Sequence, residues 1–157
     1  MGLVHIYCGD GKGKTSAAVG LAVRAAGCGK RVVIARFLKT DNSGEVEILK
    51  KIPEVTLIPC RKTFGFVRSM DEETKRECAA YHRELFGEAV KLAEHADLVV
   101  LDEIMAAVNY GMVPERDVLE FLENRPGRDQ TDGLEIVLTG RDPSEKLIAA
   151  ADYVSEI

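Results

Sequence analysis

Short runs of aliphatic and β-branched residues alternate along the chain with longer segments whose apolar residues recur at helical spacing. Such runs, separated by glycine, proline and polar residues, are typical of buried strands. We therefore predict strands near residues 3–8, 31–37, 55–60, 97–102, 134–139 and 152–156. Because strands that alternate with helices form mostly parallel sheets covered on both faces, the pattern favours an α/β fold of three layers.

The first helix is predicted from about Lys14 to Ala26, directly after the first strand. Gly27 is expected to end this helix, since glycine commonly follows the last helical turn. A helix in this position packs on the sheet through residues that lie three or four positions apart. The residues predicted to face the sheet are Ala17, Ala18, Leu21, Ala22 and Ala25.

A second long helical pattern covers residues 71–95, with Asp71 as its expected N-cap. One stripe of this segment carries apolar side chains that we assign to the core, namely Cys78, Tyr81, Leu85, Ala89 and Leu92. Three connections are expected to be irregular because turn-forming residues are concentrated in them. These connections are residues 38–46, 61–71 and 125–133.

The composition predicts one domain, spanning residues 1–157, with 46% hydrophobic content. A formal net charge of −5 argues against binding to nucleic acid, whose phosphates are bound by clustered lysine and arginine. The longest uninterrupted aliphatic run, residues 98–101, is too short to cross a membrane, and no signal peptide or membrane anchor is expected. The four cysteines include no CxxC pair, which favours reduced thiols in a cytoplasmic protein.

The sequence GDGKGKT occupies residues 9–15, between the first strand and the first helix. Its three glycines leave backbone N–H groups free to converge on an anion, as in a phosphate-binding loop. In such loops the lysine, here Lys14, reaches the terminal phosphates, and the next hydroxyl, here Thr15, binds Mg²⁺. Cys8 stands where the consensus has its first glycine, so the loop is a variant. The nucleotide is expected to contact Gly9, Asp10, Gly11, Lys12, Gly13, Lys14, Thr15 and Ser16. For Lys12 the sequence does not distinguish a contact with phosphate from a side chain that faces solvent.

Two carboxylates, Asp102 and Glu103, directly follow the buried-type run at residues 98–101. The carboxyl ends of parallel strands meet at one edge of a sheet, so these side chains are expected beside the phosphate loop. Carboxylate oxygens are preferred ligands of Mg²⁺, and the pattern is that of a Walker B segment. The sequence therefore predicts a metal site formed by Thr15, Asp102 and Glu103, and leaves open which carboxylate ligates the ion.

Two further cations follow predicted strands at the same edge, Lys39 after the second strand and Arg141 after the fifth. If the fifth strand lies between the loop strand and the Walker B strand, Arg141 points toward the nucleotide phosphates. The alternative is a surface arginine at a strand end. Both residues are included among the candidate nucleotide ligands. The histidines show no partner pattern and are assigned to structural or exposed positions: His5, His82 and His95.

Taken alone, these features predict a protein that binds Mg²⁺ and ATP, with chemistry at the γ-phosphate. The spacing gives no phosphate acceptor, however. Over its whole length the chain resembles the ATP:corrinoid adenosyltransferases of the P-loop class. The matching segments are residues 7–15, 24–27, 37–39, 65–66, 101–103, 110–111, 125–126, 138–141 and 151–152.

The resemblance implies a RecA-like P-loop fold and transfer of the 5′-deoxyadenosyl group of ATP to the cobalt of a reduced corrinoid, with triphosphate as the leaving group. It implies Mg²⁺ or Mn²⁺ with the ATP, and an activity of the cob(I)yrinic acid a,c-diamide adenosyltransferase type. Lys14 and Phe66 are the two residues assigned to catalysis, the first on the phosphates and the second against the corrin. The family also implies a homodimer and a flavin-dependent protein as reductant.

The chain departs from the family pattern at Arg68, where relatives carry the second aromatic residue of a Gly-Phe-x-Trp sequence; this chain has no tryptophan. Arg36 and Thr40 stand where the family more often has glutamine and glycine. Two other functions stay open. One is a small P-loop ATPase or kinase that acts at the γ-phosphate, and the other is a non-catalytic protein that binds nucleotide or corrinoid.

Overall fold

Six strands form the centre of the protein, whose computed structural model describes residues 2–157. All six predicted strands are confirmed, and the largest difference is at the third, which ends at Leu57 instead of residue 60. The strands are β1 (Val4–Cys8), β2 (Val32–Arg36), β3 (Val55–Leu57), β4 (Leu98–Asp102), β5 (Glu135–Thr139) and β6 (Tyr153–Glu156).

The strands form one sheet in the order β3-β2-β4-β5-β1-β6, and every neighbouring pair is parallel. Every residue of β2 and β4 is buried, as expected for central strands that are covered on both faces. Strand β5 lies between β1 and β4, which is the arrangement on which the prediction for Arg141 depends. The loops after β1, β2, β4 and β5 therefore meet at the carboxyl edge of the sheet.

Helices cover both faces of the sheet, which confirms the predicted α/β class. They are α1 (Lys14–Gly27), α2 (Gly44–Leu49), α3 (Glu72–Ala93), α4 (Ile104–Asn109), α5 (Glu115–Glu123) and α6 (Glu145–Ala150). Helices α1 and α2 contribute to the core on one face, and α3 to α6 contribute to the core on the other. None of these helices, within residues 2–157, has the length and hydropathy that crossing a membrane requires.

Helix α1 begins at Lys14 as predicted, but its packing face is rotated from the predicted one. Its buried apolar residues are Ala18, Ala22 and Ala26, which follow one another at four-residue spacing. The small side chains let the helix lie close to the central strands. Ala17 is exposed, so its assignment to the packing face is wrong. The other two predicted contacts, Leu21 and Ala25, are half-buried at the margin of this face.

The end of α1 also differs from the prediction. The helix continues through Gly27, and Cys28 is its C-cap. The left-handed residue that reverses the chain is Gly29, with a φ of 73°. Its N–H donates to the carbonyl of Ala26 at 2.9 Å, so the turn closes on the last helical residues.

Two of the connections predicted to be irregular contain short helical segments. Helix α2 begins inside the 38–46 connection, and a 3₁₀ turn at Val67–Ser69 interrupts the 61–71 connection. The 125–133 connection contains neither helix nor strand, as predicted. Helices of six residues, such as α2, α4 and α6, are too short to show a helical period in the sequence, which explains why they were not predicted.

The long helix α3 confirms the second helical pattern and its N-cap. The carboxylate of Asp71 accepts a hydrogen bond from the N–H of Thr74 at 2.7 Å. Within the predicted apolar stripe, Cys78, Leu85 and Ala89 are buried, whereas Tyr81 and Leu92 are half-buried against the core.

His82 connects α3 to the loop that follows β2. Its Nδ1–H donates to the carbonyl of Cys78 at 2.8 Å, and its Nε2 accepts from the N–H of Leu38 at 2.9 Å. This pattern assigns a neutral imidazole. Burial lowers the pKa of His82, because a charged ring would lose its hydration. The histidine thus has a structural role, which is to support Leu38 at a left-handed φ of 52°.

We expect the free energy of unfolding to fall as the pH drops below about 6.5, the ordinary histidine pKa. The folded-state pKa of His82 is lowered, so its contribution is complete above the unfolded pKa and is lost as the unfolded chain takes up a proton. His82 should make the free energy of unfolding change by up to about 1.4 kcal/mol per pH unit in this range. Urea unfolding between about pH 5 and pH 7.5 measures the slope.

The variant His82→Gln should lack this part of the pH dependence, even if it is less stable overall. His95→Gln, which changes an exposed histidine, should keep the wild-type slope. Equal slopes for wild type and His82→Gln would contradict the assignment of a neutral, buried ring.

Candidate functional site

The phosphate loop connects β1 to α1 and folds around the side chain of Lys14. That side chain is buried, and its Nζ donates to the carbonyl oxygens of Gly9 and Gly11, each at 2.7 Å. The loop therefore already holds a positive charge at the N-terminus of a helix, where the helix dipole also favours an anion. Cys8 is buried before the loop, and burial raises the pKa of its thiol, so it lies there as a neutral side chain.

The three loop glycines are needed for different reasons. A Cβ on Gly9 would collide with the carbonyl oxygen of Ile157, and a Cβ on Gly11 would lie 2.5 Å from the carbonyl carbon of the same residue. The N–H of Gly11 also donates to that Ile157 oxygen at 2.7 Å. Gly13 has a φ of 120°, and the nearest atom to a Cβ at this position would be 3.8 Å away, so its surface is open for close approach of a ligand.

This arrangement corrects one inference from the sequence. All three glycines were expected to expose N–H groups to an anion, but Gly11 directs its N–H to the segment after β6. Gly9 and Gly11 make room for Ile157 instead. Gly13 and the first turn of α1 remain the outward-facing part of the loop, because the nearest Ile157 atom, Cγ2, would be 3.8 Å from a Cβ on Gly13. The missed contact could not be found in the local motif because it joins the two ends of the chain.

A buried carboxylate, that of Asp102 at the end of β4, lies next to the phosphate loop. The residue is 2% exposed. Its Oδ1 accepts hydrogen bonds from the hydroxyls of Thr15 at 2.9 Å and Thr139 at 2.7 Å. Its Oδ2 forms an ion pair with the Nζ of Lys39, and this ammonium also donates to Oγ1 of Thr15 at 2.9 Å. The structure thus brings together Thr15, Asp102 and Lys39 from three separate segments.

The oxygens of Thr15 and Asp102 suit a hard divalent cation such as Mg²⁺, which binds hydroxyl and carboxylate ligands and keeps several waters or phosphate oxygens. Both residues already contact one cation, the ammonium of Lys39, so positive charge is accommodated between them. Within residues 2–157, no three His, Cys, Asp or Glu side chains are grouped so that they could hold a metal by themselves.

Glu103 directly follows Asp102 in the chain but does not lie between Thr15 and Asp102. It adopts a left-handed φ of 60°, and its N–H donates to Oγ1 of Thr139 at 2.9 Å. The residue lines a cavity together with Phe66. The structure therefore separates the two carboxylates of the Walker B segment: Asp102 contacts Thr15, and Glu103 faces the cavity. Thr139, which links them, was not predicted from the sequence; a threonine at the end of a buried strand is the signal that could have found it.

Arg141 lies near the phosphate loop, as its place after β5 requires. Its Nη2 donates to the carbonyl of Asp10 at 3.4 Å, and its Nε lies 3.6 Å from Oδ1 of the same residue. Both side chains are largely exposed, so the pair contributes little to stability. Lys12 and Ser16 are exposed on the outer surface of the loop and at the start of α1.

The loop that carries Lys39 is held by a buried arginine. Arg36 forms an ion pair with Asp41, and its Nη1 donates to the carbonyl of Thr40 at 3.0 Å. The Asp41 carboxylate also accepts the N–H of Cys60 at 3.2 Å. Arg36 and Thr40, the two departures from the family pattern in this segment, are therefore joined by a direct hydrogen bond that closes the turn.

A cavity of about 640 Å³ opens beside this loop. Phe66 in its wall is 85% exposed, and Tyr110 is 47% exposed, so two aromatic side chains face solvent within one concave surface. Exposed aromatic residues in a cavity are typical of a binding site for a large apolar ligand. The wall also includes Lys39, Arg68 and Glu103. A smaller cavity of about 230 Å³ adjoins it and shares Lys39 and Phe66.

Comparison with known proteins shows the family of the chain. The family model of ATP:corrinoid adenosyltransferase BtuR/CobO/CobP matches residues 1–157. The corrinoid adenosyltransferase of Escherichia coli strain K12 is 34% identical over 159 residues, which cover 99% of this chain and 76% of that protein. Corrinoid adenosyltransferase CobA of Salmonella typhimurium strain LT2 is 34% identical, with the same coverage of 99% and 76%.

A more distant relative, the corrinoid adenosyltransferase of Pseudomonas aeruginosa strain PAO1, is 30% identical and covers 99% of this chain and 74% of its own length. The matches extend over almost the whole chain, from the phosphate loop through the Asp102 segment to the residues after β5. The chain therefore belongs to the ATP:corrinoid adenosyltransferase family.

Proposed function

We propose that the protein transfers the 5′-deoxyadenosyl group of ATP to the cobalt of a reduced corrinoid and releases triphosphate. The observation that best supports this proposal is the position of Lys39. Its ammonium contacts Thr15 and Asp102 beside the phosphate loop, and the same residue lines the cavity that contains Phe66. The two candidate substrate sites therefore adjoin, and transfer requires that C5′ of ATP and the cobalt meet.

In the proposed reaction, Co(I) attacks C5′ of ATP, and the C5′–O bond breaks with its electron pair leaving on triphosphate. The cobalt supplies both electrons of the new bond and becomes formally Co(III). Since the nucleophile belongs to the substrate, the protein needs no serine, cysteine or histidine activated by a base. Its task at the nucleotide is to stabilise a departing polyanion.

The phosphate loop suits this task. Lys14 and the N–H groups at the start of α1 supply positive charge and hydrogen bonds to the triphosphate, and Arg141 lies at the same edge. We assign ATP binding to the loop at residues 9–16 together with Lys39 and Arg141. Within the loop, Gly13 and the first turn of α1 offer the N–H groups, and Gly9 and Gly11 shape the turn against Ile157. Lys14 also has a catalytic role, because charge on the leaving oxygen grows as the C5′–O bond breaks.

The Thr15 hydroxyl and the Asp102 carboxylate are the residues that would hold Mg²⁺ or Mn²⁺ with the ATP. When bound, the ion neutralises charge on the triphosphate. Asp102 is the better candidate for a direct ligand because it contacts Thr15. Glu103 faces the cavity, and we assign it to orienting water beside the ion.

The cavity lined by Phe66 and Tyr110 is the proposed corrinoid site. Its exposed aromatic surface can pack on an apolar macrocycle face and exclude water from it. We propose that Phe66 contacts the corrin and so has a catalytic role. Arg68 lies in the same wall, at the position where relatives carry a second aromatic residue.

The proposal also includes partners that the reaction requires. Co(I) has to be generated before transfer, and we propose a flavin-dependent reductant protein as its source. The family resemblance further supports a homodimeric enzyme with cob(I)yrinic acid a,c-diamide or cob(I)alamin as the corrinoid, and the cysteine pattern supports a cytoplasmic location.

An anaerobic assay with Mg²⁺-ATP and chemically reduced cobalamin tests the function. We expect an alkylcobalt absorption spectrum that reverts on exposure to light, because a Co–C bond is photolabile. The variant Lys14→Ala should give little product, since a charge-assisted contact to phosphate contributes about 1.5–3 kcal/mol, or roughly one to two orders of magnitude in affinity. Lys146→Ala, an exposed lysine on α6, serves as the matched control.

The outcome of this assay separates the three candidate functions. ATP hydrolysis to ADP without an alkylcobalt product would favour a P-loop ATPase or kinase. Binding of ATP without either reaction would favour a non-catalytic homologue. In that case Arg68→Trp, which restores the aromatic pair of the family, should produce activity if Arg68 is the cause.

The variant Phe66→Ala should slow transfer to cobalamin while leaving ATP affinity unchanged. The 85% exposed ring makes little contribution to folding, and losing its contact with the corrin should lower kcat/KM for cobalamin by about tenfold. Steady-state kinetics together with calorimetric ATP titration measure both quantities. Tyr153→Ala, which removes an exposed aromatic on β6, should change neither. An equal loss of ATP binding and transfer in Phe66→Ala would contradict its assignment to the corrinoid site.

A further inference from the structure

Lys39 occupies a position that the proposed function assigns to a metal ion. Its Nζ donates to Oγ1 of Thr15 at 2.9 Å and forms an ion pair with Oδ2 of Asp102. The Lys39 side chain is 24% exposed and that of Asp102 is 3% exposed, so the ion pair is largely removed from water. A partly buried ion pair of this kind is maintained by the protein and is unlike a contact between two mobile surface side chains.

The backbone around Lys39 holds the ammonium in this place. Leu38, the preceding residue, has a left-handed φ of 52°, and its N–H donates to Nε2 of His82. On the other side, the carbonyl of Lys39 accepts a hydrogen bond from the Cys60 thiol, with a sulfur–oxygen distance of 2.9 Å. Hydrogen bonds therefore hold the backbone on each side of Lys39, at the N–H of Leu38 and at the carbonyl of Lys39 itself.

The charge balance at Asp102 explains why a cation is needed. The two hydroxyls that donate to its Oδ1, from Thr15 and Thr139, are neutral. A carboxylate that is 2% exposed has lost its hydration, so a nearby positive charge stabilises it. Lys39 supplies that charge in the protein without nucleotide.

We propose that Lys39 is an internal counter-cation, which occupies the Thr15–Asp102 pair until a divalent ion arrives with the nucleotide and displaces it. The ammonium and a metal ion cannot share these oxygens, because two cations in contact would repel each other at close range. This inference rests on the metal-binding part of the proposed function and is independent of the corrinoid. Once displaced, the ammonium stays in the wall of the cavity that Lys39 lines.

Metal binding without nucleotide or corrinoid tests the proposal. We would titrate Mn²⁺ into wild type and Lys39→Met and follow free Mn²⁺ by electron paramagnetic resonance. Lys39→Met removes the competing charge and leaves Asp102 without its ion-pair partner, so the Mn²⁺ affinity of the variant should be at least about tenfold higher than that of wild type. Lys62→Met is the matched control, because Lys62 also lines the smaller cavity but pairs with Glu77 at 3.0 Å.

A thermal-unfolding series gives a second readout. Lys39→Met should be less stable than wild type without metal and should gain more in Tm from Mg²⁺, since the ion replaces the lost charge on Asp102. Adding Asp102→Asn to Lys39→Met should abolish the tight Mn²⁺ binding. If Lys39→Met does not fold without metal, Lys39→Gln provides an uncharged side chain that can still donate to Asp102.

The result that overturns the proposal is an equal or lower Mn²⁺ affinity in the uncharged Lys39 variants, including no detectable binding in any protein. Unchanged Mn²⁺ affinity would overturn it even if ATP binding weakens, because Lys39 would then act on phosphate alone and would not compete with the ion. Failure of the adenosyltransferase assay leaves these titrations unaffected, so the two proposals are tested separately.

Discussion

One buried carboxylate, at the end of the central strand β4, is the constraint on which the functional edge depends. Asp102 is 2% exposed, and an unpaired charge in that place would cost on the order of several kcal/mol. Thr15 at the start of α1, Thr139 at the end of β5 and Lys39 after β2 all bond to it. Compensating this one charge therefore fixes the phosphate loop, the neighbouring strand and the cavity wall relative to one another.

Backbone strain is concentrated at the same edge. Within residues 2–157, the non-glycine residues with positive φ are Leu38, Glu103 and Asp142, which follow β2, β4 and β5. Such conformations cost on the order of 1–3 kcal/mol each and persist where the surroundings hold them. His82 holds Leu38, and Thr139 holds Glu103, each through a hydrogen bond to the strained residue's N–H. The stability of the sheet and of α3 thus maintains the geometry of a site that would not form alone.

The fold was predictable from the sequence because each strand can be recognised from a short apolar run. Parallel strands then bring the phosphate loop and Asp102 to one edge of the sheet. The contacts that define the site were not, because they join distant parts of the chain. Nothing near Gly11 indicates that its N–H binds Ile157. Nothing near Lys39 indicates that its ammonium pairs with Asp102. The six-residue helices were missed for a different reason, since their length is below that at which a period can be recognised.

The central claim is that this edge binds triphosphate as an intact leaving group. Phosphorus-31 NMR of an anaerobic single turnover with ATP and reduced cobalamin measures it most directly, since free triphosphate, ADP and inorganic phosphate give distinct spectra. We expect one equivalent of triphosphate for each alkylcobalt formed. Inorganic phosphate and ADP formed in step with turnover would contradict the claim, because attack would then be at phosphorus and the loop would serve ordinary γ-phosphate chemistry.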